Sequence, residues 1–334
     1  MLRKDELVGE VRTIYFGGGT PSLLTSEELA QIFKTVFENF LVSEEPEMTL
    51  EANPDDLSKE VLLQLAKSPI NRLSIGIQSF FEEDLKLMNR AHSANEAFIC
   101  IKAAKEYFDN ISVDLIYGVP GMNVERWKKN LETALSFDVP HLSCYSLTVE
   151  PKTALETFIK KGIFPPVEDE IAAEHYELLR DMTREAKYEN YEFSNFAKEG
   201  YHSQNNTAYW RGKPYLGIGP SAHSYDGNIR SWNVNNNTKY IKSIDEDVLP
   251  LERELLSEKD KYNEYIMTGL RTKWGVSLGR IKKDFGEKYA NYLMKQSREH
   301  LDNGLLVLEN DTFKVSEHGK FLSDGIASDL FWIL

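Results

Sequence analysis

The chain is poor in thiols, with two cysteines, Cys100 and Cys144, and no Cys-x-x-Cys spacing. That rules out a disulfide framework, and it rules out an iron–sulfur cluster held by three thiolates of this sequence. Both cysteines lie in apolar patterns, AFICIKAAKE and LSCYSL, and read as small buried hydrophobes. Positive charge is also scarce. Against 53 Asp and Glu there are 39 Lys and Arg, a formal net charge of -14. No Lys/Arg run offers a basic face, which argues against nucleic acid as a partner. Long apolar runs are missing too. Nothing approaches the roughly 20 residues that span a bilayer, so no transmembrane segment is expected. The opening MLRKDELVGEVRTIYF has no signal-peptide core, and a cytoplasmic location is the expectation.

What the chain does have is alternation. Apolar, β-branched runs at Val11–Phe16, Met48–Leu50, Leu73–Ile77, Val113–Tyr117 and Leu142–Leu147 read as strands. Amphipathic helices separate them. Leu29, Ile32, Phe33, Val36, Phe37 and Phe40 form one stripe, and Thr25 with Glu28 makes a capping box at its start. Further helices are expected from Ser58, near Asn95–Phe108, Val124–Phe137 and Glu168–Ala186. Strands alternating with helices imply parallel pairing, either doubly wound or as a barrel. Polar residues at successive strand ends (Gly17–Thr20, Glu51, Gln78, Asp114) favour the barrel, whose strand ends converge on one mouth. Three regions are expected: a barrel core over 1–189, a loop-rich extension over 190–244, and a helical, winged-helix-like domain over 245–334.

The sharpest local feature is YFGGGTPSLL, Tyr15 to Leu24, where glycines directly after a strand leave room for a ligand to approach the main chain. It lacks the GxGxxG spacing of a dinucleotide fingerprint, and by itself it also reads as a tight strand-to-helix turn. Glu51 can accept hydrogen bonds from a ribose or an ammonium group, and Gln78 can both donate and accept. Arg90 can grip a carboxylate, or be a surface ion-pair residue. Asp114 stands on an otherwise apolar strand, where a charge demands a partner.

In order, GGGTP, LEANP, SIGIQSF, NRAH and VDLIYGVPG resemble the oxygen-independent coproporphyrinogen III oxidase-like family of radical S-adenosylmethionine (SAM) proteins. LSCYSLTVEPKTAL and YLGIGPSAHSY resemble its haem-chaperone (HemW) branch. The resemblance implies a partial (β/α)6 barrel of the TIM type. It makes Gly18, Gly19 and Thr20 part of a SAM-binding glycine motif, and Glu51, Gln78, Arg90 and Asp114 further SAM contacts. The family opens on a strand bearing Cys-x-x-x-Cys-x-x-Cys for a [4Fe–4S] cluster. By that comparison the barrel here is expected to lack its first strand, and the chain alone to be unable to start radical chemistry. The chaperone branch also carries His-Asn-x-x-Tyr-Trp, and Asn205 stands at its histidine position. His202, three residues earlier, reads as an ordinary loop histidine or as a substitute haem ligand, with Asn206, Tyr209 and Trp210 completing the candidate haem set, the two aromatics also readable as packing residues. The partners implied are SAM, haem or porphyrin, and haem-acceptor proteins. The resemblance implies a haem chaperone, with an oxidase that decarboxylates porphyrinogen propionates and a cluster-less SAM-binding remnant as the alternatives.

Overall fold

The computed structural model describes residues 2–4, 6–7 and 9–333. The chain divides into two compact units, one of Arg12–Val36 and Glu44–His202, the other of Met1–Val11, Phe37–Ser43 and Ser203–Leu334.

The first unit is built on β1 (Val11–Phe16), α1 (Ser26–Asn39), β2 (Val42–Ala52), α2 (Lys59–Lys67), β3 (Arg72–Gln78), α3 (Glu82–Leu87), α4 (Ala94–Ala104), β4 (Ile111–Tyr117), α5 (Val124–Ser136), β5 (His141–Ser146), α6 (Ala154–Lys160), α7 (Asp169–Glu185), β6 (Glu189–Glu192) and β7 (Asn195–Ala197). The sheet order is β1-β2-β3-β4-β5-β7-β6, with β2 to β5 pairing in parallel. A doubly wound sheet reverses its strand order part-way. Here each of the first five strands lies beside its predecessor, so right-handed crossovers place the helices on one face and the sheet curls as a partial barrel. After α7, a two-residue turn folds β6 and β7 into an antiparallel hairpin against β5, a pairing that the barrel reading did not include.

The strands have two unlike faces. Leu50, Leu73, Ile75, Val113, Leu115, Leu142 and Cys144 are fully buried on the helix side. There Tyr117 lies 5.6 Å from the Trp127 ring of α5, and Phe16 meets Phe33 of α1 edge-on at 5.3 Å. Side chains alternate along a strand, so the residues between them share the opposite face. They are polar: Glu47, Thr49 and Glu51 on β2, Arg72 and Ser74 on β3, Ser112 and Asp114 on β4, His141 and Ser143 on β5. Pairing registers Glu51 with Ser74, Ser74 with Ser112, and Asp114 with Ser143. The expected capping box closes α1: Thr25 N–H donates to Glu28 at 2.9 Å, and Glu28 N–H returns a bond to Thr25 Oγ1 at 3.2 Å. Of the stripe read on α1, Leu29 and Phe33 are buried, while Ile32 and Phe37 stay exposed.

The second unit holds α8 (Gln204–Trp210), β8 (His223–Tyr225), β9 (Ile229–Asn233), α9 (Asn237–Asp245), β10 (Leu251–Leu255), α10 (Glu258–Leu270), β11 (Val276–Ser277), α11 (Leu278–Phe285), α12 (Glu287–Gln296), α13 (Arg298–Asp302), β12 (Leu306–Glu309), β13 (Thr312–Val315) and α14 (Ser323–Asp329). Its two antiparallel sheets are ordered β10-β9-β8 and β11-β13-β12. The hairpin β12–β13 turns at Asn310 and Asp311, both at positive φ, as a two-residue turn with the twist of its strands demands. Around it Tyr262, Ile266, Val276, Leu293, Phe313 and Leu330 form a core of apolar and aromatic side chains.

Candidate functional site

At the C-terminal end of β2, Glu51 accepts from Tyr15 Oη at 2.7 Å through one carboxylate oxygen and from the Gly18 N–H at 3.1 Å through the other. Burial first, then the Glu51 charge, pushes the Tyr15 hydroxyl far above its usual pKa, so it stays a donor. Gly18 and Gly19 hold positive φ with open space beside them, so the backbone shape, and not crowding, demands glycine. Gly17 differs: a Cβ there would stand 2.7 Å from the Tyr15 ring and 3.1 Å from Glu51 Oε1. Thr20 leads into a single 3₁₀ turn, Pro21–Leu23, and its side chain makes no cap bond.

Gln78 closes β3 at φ 66, in the left-handed region that a residue with a Cβ enters at a cost. The residues after it hold it there. Ser79 Oγ donates to Asp84 at 2.8 Å, and the Phe80 N–H donates to Asn130 Oδ1 of α5 at 2.7 Å. Arg90 Nη2 donates to Asn53 Oδ1 at 2.7 Å and reaches the Gly76 carbonyl at 3.4 Å. A Cβ on Gly76 would lie 2.9 Å from Gln78 Nε2 and 3.2 Å from Arg90 Nη2, so both polar heads meet over that glycine. His92 fastens the NRAH segment, its Nε2 lying 3.0 Å from the Ile77 carbonyl and its Nδ1 3.7 Å from Asp55.

On β4, Asp114 is ringed by serines. Ser74 Oγ donates to it at 3.0 Å and Ser112 Oγ at 3.0 Å, and Ser143 Oγ lies 3.0 Å from Ser112 Oγ. Burial nevertheless dominates and raises the carboxyl from 3.8 to about 6, against the pull of those hydroxyls and of Arg72. Tyr145 follows on β5, its hydroxyl raised by burial and then by Asp114.

The structure thus gathers the expected SAM residues into three groups on neighbouring strands. It adds Tyr15, Asn53, His92, Asn130 and the serines, which the sequence reading passed over. For Ser74, Ser112 and Ser143 the signal was polar character at every second strand position.

The candidate haem residues fall in both units. His202, in the first, stacks on Tyr191 at 4.4 Å between ring centroids, and its Nε2 lies 2.9 Å from Glu189 Oε2. Asn206, Tyr209 and Trp210 belong to α8 in the second unit, where Ser203 Oγ caps the helix by accepting from the Asn206 N–H. Tyr209 meets Tyr215 edge-on at 4.4 Å, and the Arg271 guanidinium lies over Trp210 at 5.4 Å. Beside them Arg211 covers Trp274 at 4.8 Å.

The three groups suit SAM. The molecule presents an ammonium, a carboxylate, a sulfonium and a ribose, and this face offers two carboxylates, a guanidinium, an amide and an open glycine loop. They do not suit a [4Fe–4S] cluster. Cys100 and Cys144 are buried, and burial raises both thiols, Cys100 to about 12. Among the described residues no three His, Cys, Asp or Glu gather as metal ligands.

Residues 2–134 match the radical SAM superfamily and 256–322 the HemN C-terminal domain. The chain is 34% identical over 322 residues to the haem chaperone HemW of Bacillus subtilis, covering 95% of this chain and 84% of that protein. It therefore belongs to the HemN-like radical SAM family, on the HemW branch. It is also 33% identical over 340 residues to a mitochondrial radical SAM domain-containing protein 1 of Bos taurus, covering 97% of this chain and 76% of that one. In fold it resembles the Escherichia coli coproporphyrinogen III oxidase HemN, with a TM-score of 0.83 at 23% identity, over 97% of this chain and 79% of that one. Among the described residues no helix is long and apolar enough to cross a membrane.

Proposed function

We propose that this chain binds haem and passes it to acceptor proteins, with SAM held at the polar end of its barrel. The observation that carries the reading is its kinship with haem chaperones over 95% of its length. The second unit supports it. The broad rings of Trp210 and Trp274 lie under guanidinium groups, a pairing of flat apolar area and cations that suits a macrocycle with propionates. His202 is the candidate iron ligand on the first unit, and binding there requires Nε2 to exchange Glu189 for iron.

In the barrel, Glu51 and Asp114 would receive the positive groups of SAM and Arg90 its carboxylate, and SAM would lie against the main chain of the Gly18–Thr20 loop. Gln78 fixes orientation by donating and accepting at once. Bound SAM supplies a sulfonium whose reductive cleavage needs an electron from a cluster. No radical step is assigned to residues of this chain.

The test is a haem titration followed by the Soret band, in wild type and in Trp210→Ala, His202→Ala and Asn205→His. Trp210→Ala and His202→Ala should each weaken binding about tenfold, a change of roughly 1.4 kcal/mol, and Asn205→His should tighten it by a similar factor. A Soret band that does not respond to any of the three would sink the haem reading. Anaerobic decarboxylation of coproporphyrinogen III by the protein would favour an oxidase instead.

A further inference from the structure

The polar face of the sheet contains an unbroken hydrogen-bonded line that joins Asp114 to Tyr191 through Ser112 and His141. Ser112 Oγ lies 3.0 Å from Asp114 Oδ1 and 2.8 Å from His141 Nδ1. His141 Nε2 lies 2.8 Å from Tyr191 Oη. Ser112, His141 and Tyr191 are fully buried. At the far end, Tyr191 carries the His202 ring, whose partner Glu189 is half exposed to solvent. All lie within the first unit.

We propose that Tyr191, His141 and Ser112 form a proton wire that loads and unloads Asp114 from the β6 side of the sheet. With Asp114 ionised, Ser74 and Ser112 both point their protons at it, because bonds to a charged acceptor are the stronger. Ser112 then has only lone pairs for His141, so the imidazole carries its proton on Nδ1 and leaves Nε2 to accept from Tyr191. A proton arriving at Tyr191 Oη displaces the hydroxyl proton to Nε2. The Nδ1 proton moves to Ser112, and the Ser112 proton moves to Asp114. The three protons of the line and the arriving one end as one on each of its four groups, the imidazole stays neutral, and its tautomer has reversed. Reloading in the opposite sense returns the proton.

The surroundings agree with this. Burial, then the positive charge of Arg72, holds His141 far below the usual histidine range, so a neutral ring is its resting form. The titratable and charged groups facing Asp114 are Tyr15 of β1, Arg72 of β3, and Cys144 and Tyr145 of β5. Those acting on His141 are Arg72 and His202. None lies between His141 and Asp114 in the line.

The experiment is long-range ¹H–¹⁵N spectroscopy of ¹⁵N-histidine-labelled protein, with His141 assigned by the signal lost in His141→Gln. As pH falls through about 6, the wild-type His141 pattern should change from the Nδ1–H to the Nε2–H tautomer without becoming imidazolium. Ser112→Ala should abolish that response, and so should Tyr191→Phe, which removes a single oxygen and stands in if Ser112→Ala does not fold. A fixed tautomer in wild type, an imidazolium, or a reversal that survives in either variant would overturn the wire. The readout needs neither SAM nor haem, so its failure leaves the proposed function standing.

Discussion

The barrel sheet and the hairpin-centred core of the second unit bury comparable elements by opposite means. Around β13, Phe313, Val276 and Leu293 are fully buried among apolar and aromatic groups. The sheet is apolar only toward its helices. Its other face buries Arg72 and Glu47 as a pair 3.9 Å apart, with His141, Ser112 and Thr49 fully enclosed nearby. Buried polar groups cost stability unless every one is partnered, and such networks contribute specificity more than strength. The helical core holds the chain together, while the barrel interior holds charges in register.

The contrast can be broken at either side. Phe313→Ala removes a fully buried ring and should cost about 3–5 kcal/mol, seen as loss of the cooperative unfolding transition of the second unit. Glu51→Gln should leave unfolding nearly unchanged yet weaken SAM binding by calorimetry by about tenfold, or roughly 1.4 kcal/mol. Equal stability losses in the two variants would erase the distinction. The smallest effect should come from Asp114→Asn, and its sign is the informative part. A carboxyl raised to about 6 binds its proton more tightly folded than unfolded. Stability therefore falls as pH rises from below about 4 to above about 6. The amide does not titrate, so the variant should melt higher at pH 8, by on the order of 1 kcal/mol, and the gain should vanish near pH 4. The same change should weaken SAM binding, making Asp114 a group kept at the expense of stability.

Much of this architecture was legible in the sequence. β1 was read to the residue, and β5 to within one position. β-branched runs and i, i+3, i+4 spacing are local signals, and they locate elements that pack in the ordinary way. The inner face was not read. Ser74, Ser112, His141 and Ser143 alternate with Leu73, Val113, Leu142 and Cys144, so the apolar members define the strand and the polar ones look incidental. Only register across three strands reveals that they meet. Nothing local in LEANP marks Asn53 as a partner of Arg90, yet its side chain holds that guanidinium. The β6–β7 hairpin escaped because helix–strand alternation, the basis of the barrel reading, stops at α7.

Gln78 carries a last consequence. Its positive φ is cheap for glycine and costs other residues on the order of 1 kcal/mol, while the amide beside Arg90 is available only from a side chain. A library selected for heat resistance alone would drift toward glycine at this position, and one selected for ligand retention would keep glutamine. Laboratory evolution toward a hardier protein would therefore erode the barrel mouth first at Gln78.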